Sequence, residues 1–279
     1  ISYLLASTVQ EYSGTGVGVR ILFENLPLSL REQIACVVLG NPTSLELHLG
    51  HRGKAEFILE TCGRTCQSSV PWLGVNAIYQ MAPVLEELSI LSSNLPSHPF
   101  VDRSTLAVTE IFSTPQISGR IPDRCSIAID RRFLPTETLA EITGQLESII
   151  YRIHLKDPNF QARVFLKQIE EKTYRGFMKT LPCLMSPFMI EESHPLILKI
   201  RHLLSHVIGE VRTGAFQFIT SGSYTSGMLN IPTLGYSPGE AKYMNTPYDR
   251  IHLDLLKQSV LGYALIYASI GEIKDFHVI

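Results

Sequence analysis

Lys54-Ala55-Glu56-Phe57-Ile58-Leu59-Glu60-Thr61 is the stretch at which the pattern of the chain changes. Its alternation of polar and apolar residues is that of a strand with one face in a core and the other in water. Before it, the apolar runs are continuous. Tyr3 to Val9 ends in Gln10-Glu11 and a glycine-rich turn, Gly14 to Gly18, and Ile34 to Leu39 is closed by Gly40-Asn41-Pro42. Such runs suit parallel strands buried on both faces. With a helix predicted over 16–26 between them, they open an α/β layer.

After the alternating stretch, apolar residues recur at helical spacing over 74–91, through Ile78, Met81, Val84, Leu85 and Leu88. Strands are predicted over 105–112 and 125–131, a second helix from Thr136 to about Ile153, and a strand over 161–166. The order β-α-β-β-α-β is the split βαβ arrangement, a compact sheet with two helices on one face. Then α/β signals resume, with helices over 194–208 and 253–270 and strands over 216–220 and 231–236. The expected fold is therefore α/β, with an α/β domain over 1–50 and 168–279 and a βαββαβ ferredoxin-like domain inserted over 51–167.

Composition agrees with two domains, since 279 residues at about 150 per domain suggest that number. Lys and Arg total 24 against 26 Asp and Glu, a net charge of −2, with no basic surplus to engage nucleic acid. No apolar run approaches the roughly 20 residues of a membrane span, so no membrane partner is expected. Residues 1–9 have neither a basic region nor a small-residue cleavage site, unlike a signal peptide. Opening on Ile1, mid-strand by pattern, the sequence reads as having a further segment in front. The five cysteines are odd in number and scattered, which points to a reducing compartment, the cytoplasm. Cys62 and Cys66 form C-x3-C without a second half, and a strand and its turn account for them better than zinc.

Several short motifs occur in a telling order. They are Gly50-His51-Arg52-Gly53-Lys54-Ala55-Glu56-Phe57, Pro71-Trp72-Leu73-Gly74-Val75-Asn76-Ala77-Ile78, Ile121-Pro122-Asp123 with Ile129-Asp130-Arg131-Arg132, and Ile231-Pro232 with Gly235 and Pro238-Gly239. Together they resemble the M20 zinc-dependent peptidases and amidohydrolases, a family that includes acetylornithine and succinyl-diaminopimelate deacylases, aminoacylases and glutamate carboxypeptidases. The resemblance runs from Thr8 almost to the end of the chain. It implies a zinc-peptidase-like α/β catalytic domain with an inserted lid, or dimerisation, domain. It also implies two zinc ions about 3.5–4 Å apart that share an activated water. Two histidines and three carboxylates would hold the metals, and a glutamate would act as general base.

Carried onto this chain, the family pattern is largely refilled with other residues. An H-x-D motif and a bridging Asp would fall before Thr8, outside these residues. Thr8-Val9-Gln10 leads to Glu11 at the general-base position, but Tyr12 stands where a metal-binding Glu belongs. A phenol with a pKa of about 10 is a poor zinc ligand at neutral pH. Asn41-Pro42-Thr43 replaces E-P-T, and Asn245-Thr246-Pro247-Tyr248-Asp249 replaces H-T-P-x-E. The lid histidine that serves the oxyanion corresponds to Gln67, and an Asn preceding Ile-Pro corresponds to Gly119. Arg132 matches an arginine that holds a substrate carboxylate, a role that suits its forked guanidinium.

The expectation is a chain with no cofactor and no hydrolase activity as it stands, because the ligand positions Tyr12, Asn41 and Asn245 no longer suit the family's dinuclear zinc. It would act as a dimerising or binding subunit, pairing through the lid with a second copy or with an active paralogue. A small carboxylated ligand at Arg132 is a further possibility. The alternative is a metal-dependent amidohydrolase or carboxypeptidase-type enzyme, with Glu11 as base and Arg132 as anchor. Plainer readings stand beside these: Glu11 as a polar strand end, Arg132 paired with Asp130 or Glu137, and Gln67 as a surface residue. His202 and His206 are spaced for a metal clip but read as ordinary helix residues. Ser221-Gly222-Ser223 lacks a G-x-S-x-G elbow.

Overall fold

Every second side chain of the strand Gly53–Cys62 is buried, as its alternation predicts. In the computed structural model, which describes residues 2–9, 11 and 14–271, this strand organises one of two units. Gln161–Leu166 pairs antiparallel with it, in register from Phe57 opposite Leu166 to Cys62 opposite Gln161. Arg124–Phe133 lies on its other side, followed at the end of the order by Thr105–Thr114. These last two strands are antiparallel, with a bulge between Val108 and Glu110. The sheet order of the four predicted strands, fourth-first-third-second, is that of the split βαβ fold.

Two helices cover one face of this sheet. Ala77–Ser93 starts at Asn76, whose side chain accepts the Ile78 N–H at 3.0 Å. Leu139–Lys156 starts at Thr138, two residues after the predicted Thr136, because Thr138 and Glu141 form a capping box. Met81, Val84 and Leu88 from the first helix and Ile142, Leu146 and Ile149 from the second join Phe57, Leu59, Ile127 and Ile129 in one core.

This unit spans 54–98 and 102–184, so it runs beyond the expected end at 167. A hairpin, Gln168–Lys172 with Met178–Pro182, accounts for the difference. The Lys167 N–H donates to Glu56 O at 2.8 Å, the Cys183 N–H to Lys167 O at 2.8 Å, and the Glu56 N–H to Cys183 O at 3.0 Å. Both ends of the hairpin are thus bonded to the strand Gly53–Cys62.

The other unit comprises 1–53, 99–101 and 185–279. Its sheet runs Val37–Leu39, Thr233–Gly235, Leu47–His51, Phe188–Met189, and Thr213–Phe216 also pairs with Leu47–His51. Leu47, Leu49 and Leu234 meet Leu196, Ile197, Ile200 and Leu204 of the helix Pro195–Ile208, together with Ile266 of Leu253–Gly271. Gly262 is required where this last helix meets the sheet, because a Cβ there would lie 2.1 Å from the buried Tyr236 hydroxyl.

Two expectations need correction here. Residues 3–9 form no strand, and Tyr3, Leu4, Leu5 and Val9 are exposed. An apolar run becomes a strand only when another strand accepts its backbone bonds, and no such partner occurs among the described residues. The strand expected over 216–220 lies earlier, at Thr213–Phe216, because Thr213 and Gly214 pair with Leu47 and His48. No helix among the described residues is long and apolar enough to cross a membrane.

Candidate functional site

Val37–Leu39 and Thr233–Gly235 are parallel neighbours, so the loops that follow them leave from the same, carboxyl, end. That is the usual location of sites in α/β sheets. The two loops are latched together. Thr43 Oγ1 donates to Ser237 O at 3.1 Å and accepts the Ser237 N–H at 2.9 Å. The Ser44 N–H donates to Gly239 O and the Leu45 N–H to Ser237 O, both at 2.8 Å. Ser44 and Leu45 have φ values of 54° and 66°. Successive side-chain-bearing residues in the left-handed region are strained, and these bonds hold them there.

The latch presents Asn41 to Glu11. Asn41 Nδ2 donates to Glu11 Oε2 at 3.0 Å. The other carboxylate oxygen, Oε1, accepts the Ser221 N–H at 2.7 Å and the Ser221 hydroxyl at 2.9 Å. Both oxygens of Glu11 are therefore engaged, by three donors that carry no net charge. An acid at position 41 would set a second carboxylate against the first. An amide there turns a contact that needs a cation into a hydrogen bond.

His51 supports the same loop from within the sheet. It is buried, with Nδ1 2.8 Å from Arg52 O and Nε2 3.2 Å from the Thr220 nitrogen. These partners specify a neutral ring that donates from Nδ1 and accepts at Nε2. It positions Thr220 and, through it, Ser221. In the sequence His51 is one residue of a motif and Ser221 part of a stretch without a nucleophile elbow, so nothing there connects either with Glu11.

The remaining predicted positions behave differently. Tyr12 lies outside the described residues. Asn245 is exposed, with φ 60°, a conformation that Asn tolerates better than most side chains. Among the described residues no hydrogen bond joins it to Glu11 or Asn41. Gln67 is also exposed. Its neighbour Ser68 donates to Gly119 O at 2.8 Å, which sets the Gln67 and Gly119 positions beside each other. Gly119 has φ 78° and open space around it.

Arg132 is held by Asp130, Nε to Oδ1 at 2.8 Å and Nη2 to Oδ2 at 3.2 Å. Asp130 and Lys54 lie 3.7 Å apart, Lys54 and Glu56 2.5 Å, and Glu56 and Lys167 2.9 Å. Burial disfavours charge on Glu56, but the Lys54 and Lys167 ammonium groups outweigh it and bring its carboxyl down to about 2. Arg131 points the other way along the strand. It is buried and pairs with Glu137, which also accepts from Ser104 Oγ and the Leu134 N–H.

Two of the five thiols are held in their neutral form by burial. All five cysteines are free, and burial pushes Cys36 and Cys183 up to about 12, far from the thiolate a nucleophile or ligand needs. Cys62 ends the strand Gly53–Cys62, and Cys66 lies in the turn beyond it with Sγ 3.4 Å from Val70 O. Among the described residues no three His, Cys, Asp or Glu side chains are grouped so as to hold a metal. An amide at 41 and an exposed amide at 245 do not suit a dinuclear zinc centre, whose ligands must balance the cationic charge.

Comparison with known proteins supports the family resemblance. The family model for the M20 peptidase dimerisation domain matches residues 49–158. The uncharacterized protein YgeY of Escherichia coli K12 is 28% identical over 268 residues, which are 96% of this chain and 63% of that protein. Acetylornithine deacetylase of Buchnera aphidicola from Schizaphis graminum is 32% identical over 139 residues, 48% of this chain and 35% of the relative. Among solved structures, aminopeptidase PepT of Bacillus cereus superposes with a TM-score of 0.68 at 16% identity, over 95% of this chain and 63% of that one. For human carnosine dipeptidase 1 the TM-score is 0.59 at 11% identity, over 94% and 65%. At such identities the likeness is one of fold. The chain spans less than two thirds of the length of these relatives.

Proposed function

Because this chain belongs to the M20 family of peptidases and deacylases, we propose that it serves as a dimerising or binding subunit and does not hydrolyse amide bonds by the zinc route. The observation that carries this reading is the closed network around Glu11. A general base must face the water it deprotonates, and in a zinc hydrolase the metals make that water acidic. Glu11 instead faces Asn41 and Ser221 with both oxygens. Asn41 supplies a donor where a metal would need an anion.

Association rests on different residues, which retain what it needs. Thr105–Thr114 is the end strand of its sheet and exposes Val108, Ile111 and Phe112. An apolar end strand is a template for pairing with another chain, and two-fold pairing uses the same patch on both copies. The partner is a second copy or an active paralogue, in the cytoplasm, where the five free thiols persist. A small carboxylated ligand at Arg132 would have to displace Asp130.

Sedimentation velocity at micromolar concentration and hydrolysis of N-acyl amino acids and dipeptides with added zinc test this reading. A dimer with background hydrolysis is expected. Turnover that disappears in Glu11→Gln would establish the metal-dependent amidohydrolase instead, and a strict monomer would remove the proposed role in pairing.

A further inference from the structure

We propose a transition-metal clip on the outer face of the helix Pro195–Ile208, formed by His202 and His206 and separate from the loops around Glu11. The two residues are exposed and one turn apart. Their ring centroids lie 5.0 Å apart, with the planes at 80°. No hydrogen bond among the described residues engages either imidazole, so neither ring is spent on the fold.

The spacing suits a shared ion. Zinc sits about 2.0–2.1 Å from an imidazole nitrogen, hence about 3.2 Å from the ring centre. Two centroids 5.0 Å apart lie within the roughly 6.4 Å that two imidazole ligands of one ion can span. The opposite face of the helix, with Leu196, Ile197, Ile200 and Leu204, is buried in the core, so the pair is presented on a rigid element. Arg201 and Glu210, which line a shallow depression with His202, bring opposite charges to its rim. Water completes the coordination, and with only two protein ligands the ion is held more weakly than at a four-ligand structural site.

This has a direct consequence for metal analysis, because zinc taken up by the chain need not reside at the old dinuclear positions. Titration calorimetry of Zn2+ into the whole chain at neutral pH separates the two. One equivalent is expected, weakened at least tenfold in His202→Ala and in His206→Ala and unchanged in Glu11→Gln. Copper(II), which the same pair should hold more tightly, provides a second probe with the same dependence on both histidines. Both histidines are exposed, so circular dichroism and the thermal midpoint of each variant should match the parent. No uptake of either metal, uptake indifferent to both histidines, or uptake lost in Glu11→Gln overturns the proposal.

Discussion

On the open face of the split βαβ sheet, charges are answered by charges. Arg132, Asp130, Lys54, Glu56 and Lys167 form a row of alternating sign. In the loop cluster of the other unit, the carboxylate of Glu11 is answered by an amide, a hydroxyl and a backbone N–H. The difference teaches that a partly buried carboxylate can be satisfied in two ways, by cations or by neutral donors. A carboxylate whose lone pairs are filled by neutral donors needs no counter-ion, whereas an acid among acids does. The sheet face is ionic, and the cluster around Glu11 is held by hydrogen bonds.

The largest effect should come from breaking a charge that is answered by a charge in the interior. Glu137→Ala leaves Arg131 buried without its partner, and a loss of about 3–5 kcal/mol is expected in urea unfolding. A loss under 1 kcal/mol would mean that the pair is far better hydrated than its burial implies.

A smaller effect should follow from restoring an acid to the cluster. Asn41→Asp removes a donor from Glu11 and adds a like charge about 3 Å from it, which should cost about 1–2 kcal/mol in metal-free buffer. The thermal midpoint of the variant should fall at neutral pH. Unchanged stability at neutral pH would show that the cluster tolerates two anions and that the contrast with the sheet is only apparent.

A third effect, set apart by its pH dependence, concerns Glu56. Its carboxyl lies at about 2 in the folded chain, against about 4.3 when unfolded, so the folded state binds its proton less readily. Its contribution is therefore fully present above about pH 4.3 and is lost as pH falls through about 2. The stability difference between the parent and Glu56→Gln should shrink over that window and also with added salt, since the row is partly open to water. A difference that does not vary with pH would assign the effect of the substitution to packing.

Much of the fold was legible because its signals are local. Alternation over Lys54–Thr61 marks a strand with one buried face, a signal carried by the residue types themselves. The Thr138–Glu141 spacing sets a helix start, although the sequence reading placed it at Thr136. The hairpin at 168–182 was not anticipated, because its attachment depends on Lys167 and Cys183 meeting Glu56. Tyr3–Val9 has the composition of a buried strand, but strand formation is decided by a neighbour. In the sequence Glu11 and Asn41 were legible only as separate candidate positions. How they interact was not, since Glu11 meets Asn41 across 30 positions and Ser221 across 210.

By itself the sequence determined most of the regular elements, the family likeness and the residue types at the candidate positions, such as Asn41 and Asn245. Those properties reside in residue type and short-range spacing. Only the tertiary structure decided that Glu11 is bound by Asn41 and Ser221, that Arg132 is held by Asp130 while Arg131 turns inward to Glu137, and that His51 supports the Ser221 loop. Hydrogen bonds form between groups brought within about 3 Å with suitable direction, and folding alone brings such distant segments together.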